Sequence, residues 1–364
     1  MKFPKLLALT LTGLLSGGAT LAIAEYSKPA VDRAFPIEDI AGDPKHIDGV
    51  EFENIIKTGH NAFEKVNFGK KGVEFEKTEF DIAKAADEKV LANKDVYRGT
   101  FSPAELETSK YIITAEFNVQ YPYNSKEPYV KVAIKDKKTG KVINETVPLQ
   151  DFTSSENIWE QILMESEGKI YYSFFGVNGS DHESVLYIYE LDPRTAKLRK
   201  ESISVEEIRN RTNLSYDNGI LYTVVFDEPG SEHLLAVDLA KKTAGKKQLS
   251  LVNNSGDMIE SITALDGYLY VQMSGNIYII DAQTSKTTAI VQPTIKDQMD
   301  YLYATEIKAK DGLLYILFNA SKNEVYGEYI SVYDNKNGKV LYEGKLPGMD
   351  NRGVNREHVI AEID

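Results

Sequence analysis

The chain has 364 residues, 42% of them hydrophobic, and a formal net charge of −13. Such length and apolar content support a large core. The acidic balance argues against nucleic acid as a partner, because phosphate binding needs a basic footprint. Cysteine is absent, which excludes disulfides, thiolate catalysis, cysteine-ligated zinc and a lipoprotein-type anchor.

At the N-terminus, Lys2 and Lys5 precede an apolar stretch from Leu6 to Leu15. Ala22-Ile23-Ala24 then places small residues where a signal peptidase reads, with Glu25 next. The competing reading is an uncleaved anchor over residues 6–24, diluted by Gly13, Gly17 and Gly18. Both readings leave the remainder outside the cytoplasm, since the basic flank stays inside. Residues 25–50 carry Pro29, Pro36, Gly42 and Pro44 among charges and read as an extended leader. The next stretch, 51–108, is mixed. Val73 to Glu76 and Thr78 to Phe80 alternate like a strand with one wet face. Asp81 to Ala92 is alanine-rich and reads as a short helix, and Ser102-Pro103 reads as a helix start.

From about residue 109 the chain repeats. One element is an acidic or amide residue, Gly, any residue, Ile or Leu, then Tyr. Its copies centre on Glu167-Gly168, Asn218-Gly219, Asp266-Gly267 and Asp311-Gly312. Such dipeptides favour tight hairpin turns, because both central residues need positive φ. Each is followed by a nearly continuous apolar run (IYYSFF, ILYTVVF, YLYVQM, LLYILF), the mark of a strand covered on both faces. A second element closes a later strand with Asp, a turn and Lys: Asp136 to Lys141, Asp192 to Lys197, Asp281 to Lys286, Asp334 to Lys339, and a longer variant from Asp238 to about Lys246. In these turns the Asp carboxylate can accept backbone N–H groups. A more polar, edge-like strand follows each one.

Strand, tight turn, buried strand, variable loop, buried strand, Asp turn and edge strand make four strands in roughly 45–55 residues, the size of a propeller blade. The predicted fold is therefore all-β: a β-propeller of four-stranded blades over residues 51–364, with seven blades expected and six or eight open. A sandwich of unrelated hairpins has no reason to repeat the same two turns in order. The strand His358 to Ile363 looks like the first strand of an unfinished blade, suited to closing the ring against N-terminal strands.

The Asp-x-x-Thr-Gly-Lys turn with the Gly-x-Leu-Tyr strand resembles the repeats of bacterial extracytoplasmic β-propellers of the quinoprotein-like and YVTN type, over about two-thirds of the chain. The quinone is not carried over. Trp159, the only Trp, lies outside the turns, and the vicinal cysteines that stack on the cofactor are impossible here. No cofactor is expected. Many members of that group are non-catalytic scaffolds or binding modules. The resemblance thus implies a non-catalytic protein that binds a protein or envelope component through one loop face. Membrane contact is expected only through residues 6–24 if uncleaved.

Loops on a rigid frame are where function usually sits. Tyr121, Tyr123 and Tyr326 can form an aromatic platform for a sugar or peptide. Asp181, His182, Glu183, Asp227, Glu232 and His233 occupy equivalent loops of neighbouring units, since His182 and His233 each fall 14 residues after the turn glycine. Imidazole with carboxylates suits a divalent metal or acid–base work, so a propeller hydrolase or lyase acting on glycans is one alternative; a membrane-tethered sensor or regulator is another, if residues 6–24 stay attached. Wet hairpin tips in an acidic protein explain the same residues without a site. The run Val252 to Asp257 offers oxygen ligands but lacks EF-hand spacing.

Overall fold

The computed structural model describes residues 37–57, 63–69, 72–78, 90, 92–98, 100, 103–118, 128–149, 157–177, 184–203, 205, 208, 210–226, 231–249, 251, 259–323, 325–347 and 359–363. These form six antiparallel sheets, each a blade of a propeller. Six is the lower of the blade numbers the repeat length allowed. The expected seven assumed one unit per 48 residues from residue 25 onward, whereas the described residues between β4 and β5 hold a short helix and no strand.

Blade 1 is a composite. Its second to fourth strands are β2 (Val50–Lys57), β3 (Phe63–Gly69) and β4 (Gly72–Thr78), and its innermost strand is the C-terminal β26 (Val359–Ile363), which pairs with β2. Blade 2 is β5 (Ala104–Glu107), β6 (Tyr111–Asn118), β7 (Tyr129–Asp136) and β8 (Val142–Pro148). Blade 3 is β9 (Asn157–Ser166), β10 (Lys169–Val177), β11 (Ser184–Asp192) and β12 (Lys197–Lys200). Blade 4 has a broken inner strand, β13 (Asn210–Arg211) and β14 (Ser215–Asp217), then β15 (Ile220–Phe226), β16 (His233–Asp238) and β17 (Thr243–Gln248). Blade 5 is β18 (Ile259–Leu265), β19 (Tyr268–Met273), β20 (Asn276–Asp281) and β21 (Lys286–Val291). Blade 6 is β22 (Tyr301–Lys310), β23 (Leu313–Lys322), β24 (Val325–Asp334) and β25 (Val340–Lys345). On its outer edge lies β1 (Glu38–Gly42), drawn from the segment read as a leader. The ring is thus clasped twice, β26 completing blade 1 and β1 extending blade 6.

The two repeated turns behave as their residue types require. Gly168, Gly219, Gly267 and Gly312 have φ of 74–83°, and the residue before each is also positive, at 49–53°. Both central positions being left-handed is the geometry a two-residue hairpin needs. In the Asp turns the N–H four residues on donates to the Asp carbonyl, as from Gly140, Ala196, Ser285 and Gly338 at 2.8–2.9 Å. The carboxylate meanwhile accepts from the turn: Asp136 from the Thr139 N–H at 2.7 Å, Asp192 from the Thr195 hydroxyl at 2.7 Å, Asp281 from the Thr284 hydroxyl at 2.7 Å. Asp238 heads a turn of the same length, with Lys242 left-handed and β17 starting at Thr243, so the longer variant expected there is not present.

The apolar runs are explained by which neighbour each side chain meets. In β10, Tyr172 and Phe174 face blade 2 while Tyr171 and Phe175 face blade 4. In β23, Leu314, Ile316 and Phe318 face blade 5 while Tyr315 and Leu317 face blade 1. Five hydrophobic clusters occupy five of the six seams between blades. A further cluster joins the four-residue helix α1 (Lys94–Tyr97) to blade 2, where Val96 and Tyr97 pack on Ile112 and Ala133. Within the predicted helix Asp81 to Ala92, residues 81–89 and 91 lie outside the described residues. Of the helix start expected at Ser102-Pro103, Ser102 lies outside the described residues and Pro103 leads into β5: Ala104 to Glu107 pair with β6, and that ladder overrides the local signal.

Candidate functional site

Each blade's tight turn and Asp turn lie on one face, the bottom. Loops between second and third strands, and crossovers to the next blade, lie on the other, the top. First strands line the centre, and β5 and β9, β14 and β18, β18 and β22, and β22 and β26 are neighbours there. Their seams are stitched by side chains that replace strand pairing. Asn213 accepts the Ile262 N–H through Oδ1 at 2.8 Å and donates through Nδ2 to the Ile262 carbonyl at 2.9 Å. The Ser215 hydroxyl accepts from the Ala264 N–H at 2.8 Å, and Asp217 from the Gly267 N–H at 2.7 Å. Gln272 accepts the Ala304 N–H at 3.1 Å, and Glu306 the Ile360 N–H at 2.7 Å, while Lys308 donates to the Ile360 carbonyl.

Three inner strands bulge at one level: the pairing register skips Glu160 in β9, Glu260 in β18 and Thr305 in β22, while the skip at Ala361 in β26 falls lower, below Ile360. In blade 4 the inner strand breaks at the same level. Thr212 donates its N–H to the Val224 carbonyl at 2.9 Å and accepts the Val224 N–H on its hydroxyl at 3.0 Å. Bulges beside a channel re-aim side chains. Glu160 even takes φ 53°, a left-handed conformation unfavourable for a side-chain-bearing residue.

Next to this level stands Arg211. Its guanidinium lies 4.0 Å from the Phe175 ring centroid, a cation–π arrangement. Among the described residues its side chain makes no hydrogen bond or ion pair, and Nε is buried without a partner. Burial holds its pKa below the ordinary value, against the opposing pull of Glu160. On the next blade Glu260 stands at the same level, because Asn213 and Ile262, each two residues further down, are bonded to one another. Half-burial pushes the Glu260 pKa up, opposed by Gln272 and Lys296, and its Oε2 has no partner. An arc of Glu160, Arg211 and Glu260 thus spans blades 3 to 5 at the top mouth. A fixed guanidinium can grip an oxyanion with paired hydrogen bonds. A carboxyl whose pKa burial raises is suited to exchanging a proton with a ligand. The sequence reading missed all three. The usable signal was spacing: Glu160, Thr212, Glu260 and Thr305 each precede the turn glycine by seven or eight residues.

Of the residues singled out from sequence, Tyr121, Tyr123, Asp181, His182, Glu183 and Asp227 lie outside the described residues, as does the whole run Val252 to Asp257. Glu232 is buried at the top of blade 4, where its carbonyl accepts the Leu249 N–H at 3.1 Å. His233 opens β16, with Nδ1 2.6 Å from the Ser231 carbonyl oxygen. Tyr326 is exposed on blade 6, so it does not share a site with these two. Among the described residues no three His, Asp or Glu are grouped to hold a metal ion.

No family model and no curated protein matches the sequence. Solved structures do. Cobalt-substituted apocarotenoid oxygenase of Synechocystis is 12% identical, with 85% of this chain and 92% of that one covered and a TM-score of 0.48. AztD of Citrobacter koseri is 14% identical, covering 82% and 73% with a TM-score of 0.39. Prolyl oligopeptidase B of Galerina marginata is 12% identical, covering 88% and 44% with a TM-score of 0.44. At these identities the likeness concerns the fold alone, and no site residue is carried across. It does correct one expectation. The similar structures include an oxygenase and an oligopeptidase, so this frame with its missing motifs gives no ground for calling the chain non-catalytic.

Proposed function

We propose that this chain is exported and acts outside the cytoplasm, where the top mouth of its channel captures an envelope component bearing a carboxylate or phosphate group. The carrying observation is Arg211, half-buried with its guanidinium 4.0 Å from the Phe175 ring centroid, and with no hydrogen bond or ion pair among the described residues. Unpaired buried donors are costly, and a ligand oxyanion would satisfy them. The Glu160 carboxylate beside the guanidinium disfavours a ligand with further anionic groups at this point. Glu260, with its pKa raised, is placed to give a proton to such a ligand or take one from it. A net charge of −13 argues against nucleic acid here too. Export rests on Lys2, Lys5 and the apolar run that follows.

Thermal-shift titration of the protein with a panel of carboxylates and phosphates tests the site. A ligand at about 100 times its Kd adds about 2.7 kcal/mol of stability. That gain should vanish in Arg211→Ala and persist in His233→Ala. Equal stabilisation of wild type and Arg211→Ala would sink the reading. N-terminal sequencing of protein recovered from the envelope tests export, with Glu25 as the cleaved start and Met1 as the anchored one.

A further inference from the structure

The described large hydrophobic side chains left exposed are Ile40, Val185, Tyr301, Val325, Tyr326 and Val359. Apart from Ile40, each is the first or second residue of a strand that starts at the top face. None lies in a bottom turn, where Asp136, Lys138, Arg194 and Lys241 are typical. The ring is therefore amphipathic along its axis, and patches of this kind mark contact surfaces.

The patch is densest on blade 6. Tyr326 is 74% exposed, Val325 67% and Tyr301 50%. Tyr301 faces Ser321 across one ladder and Ser321 faces Tyr326 across the next, so all three share one side of the sheet. Tyr301 and Tyr303 stack at 6.5 Å with 9° between their rings. The hairpin also protrudes. β25 ends at Lys345 opposite Tyr329, and the Leu346 N–H donates to the Glu328 carbonyl at 2.9 Å, leaving Val325 to Gly327 above this pairing, a rise of roughly 10 Å at 3.4 Å per residue. Its tip is pinned, since the Asn323 N–H donates to Asp300 at 2.6 Å.

The chain enters at this same corner. Glu38 pairs with Lys345, so β1 runs downward from the top of blade 6, and residues 1–36 precede it there. Residues 25–36 reach at most about 40 Å when extended. An anchor at 6–24 therefore keeps this corner within about 40 Å of the bilayer, whereas the bottom turns lie a further strand length of about 30 Å along the chain's path from this entry point.

We infer that the blade 6 hairpin, through Val325, Tyr326 and Tyr301, docks into the interfacial layer of the membrane that residues 6–24 span. The inference rests on the anchored form of the exported chain. Tyrosine suits that layer, with an apolar ring and a wet hydroxyl.

Because the chain has no cysteine, single-cysteine reporters are clean. Full-length Val325→Cys, Lys322→Cys and Lys138→Cys are labelled with an environment-sensitive fluorophore and reconstituted into phosphatidylcholine vesicles with and without spin-labelled lipid. The labels at 325 and 322 should shift to the blue and lose most of their emission to the quencher, and the label at 138 should do neither. Equal responses at 325 and 138 would overturn the docking. A blue-shifted label at 325 that lipid does not quench would mean a protein covers the tip, and would overturn the lipid assignment. Flotation in alkaline carbonate separates the two layers of the argument. A chain that fails to float lacks the anchor, and the docking falls with it; one that floats with position 325 unquenched refutes the docking alone.

Discussion

Asn213 offers a direct measure of what holds neighbouring blades together at the channel. Its amide makes two hydrogen bonds with the backbone of Ile262, at 2.8 and 2.9 Å, and Ile262 is fully buried. Asn213→Ala removes both partners and leaves a buried N–H and a buried carbonyl. Each orphan costs about 1–3 kcal/mol, so about 2–6 kcal/mol is at risk. The space vacated by the amide can admit a water with these two polar partners, which recovers part of that cost. We therefore expect a loss of about 2–4 kcal/mol. Asn213→Asp keeps the acceptor for the Ile262 N–H but sets a carboxylate against the Ile262 carbonyl, so it should not restore wild-type stability. Urea unfolding followed by far-UV circular dichroism reads the effect as a lower midpoint at unchanged slope. A loss under about 0.5 kcal/mol in Asn213→Ala would refute the reasoning, because it would mean that the apolar seams alone fix the blades.

Truncation after His358 removes β26 and exposes the edge of β2, so the shortened chain should self-associate by sedimentation. Gly168→Ala places a side chain at φ 74° with nothing within 4 Å, so it should cost about 1–2 kcal/mol from backbone strain. Gly245→Ala, also without neighbours but not left-handed, should be neutral or stabilising by up to about 1 kcal/mol in the same melts. Asp136, Asp192, Asp238 and Asp281 have pKa values below the usual 3.8, held down chiefly by bonds from Thr139, Thr195, Lys241 and Thr284. Between those folded values and 3.8 the unfolded chain binds more protons. Their stabilisation is therefore complete above the unfolded value and lost as pH falls through the folded ones. The variant with Asn at all four positions should show a shallower drop in urea midpoint from neutral pH to about pH 2.

Some of the molecule is written in short stretches of chain. Glycine preceded by Asp, Asn or Glu meets the left-handed requirement of a tight turn within two residues, and the Asp turns satisfy themselves within five. These features were legible from sequence, and with them the blade, since an apolar run without alternation records a strand covered on both faces. The closing role of His358 to Ile363 was legible too, as a strand lacking its hairpin partner.

The remainder depends on distances that no local pattern encodes. Five residues at 38–42 become the outer strand of blade 6 because Lys345 presents an open edge to them. Pro103 reads as a helix start until β6 offers Ala104 to Glu107 a ladder. Arg211 is an ordinary charged residue in the sequence. Only the ring places it on Phe175 of the blade before, with Glu160 on one side and Glu260 on the other, and without an ion-pair partner among the described residues. Turn chemistry acts over a few covalent bonds and is decided by residue type. The mouth of the channel is made where separate blades meet, and it exists only once the tertiary structure has closed.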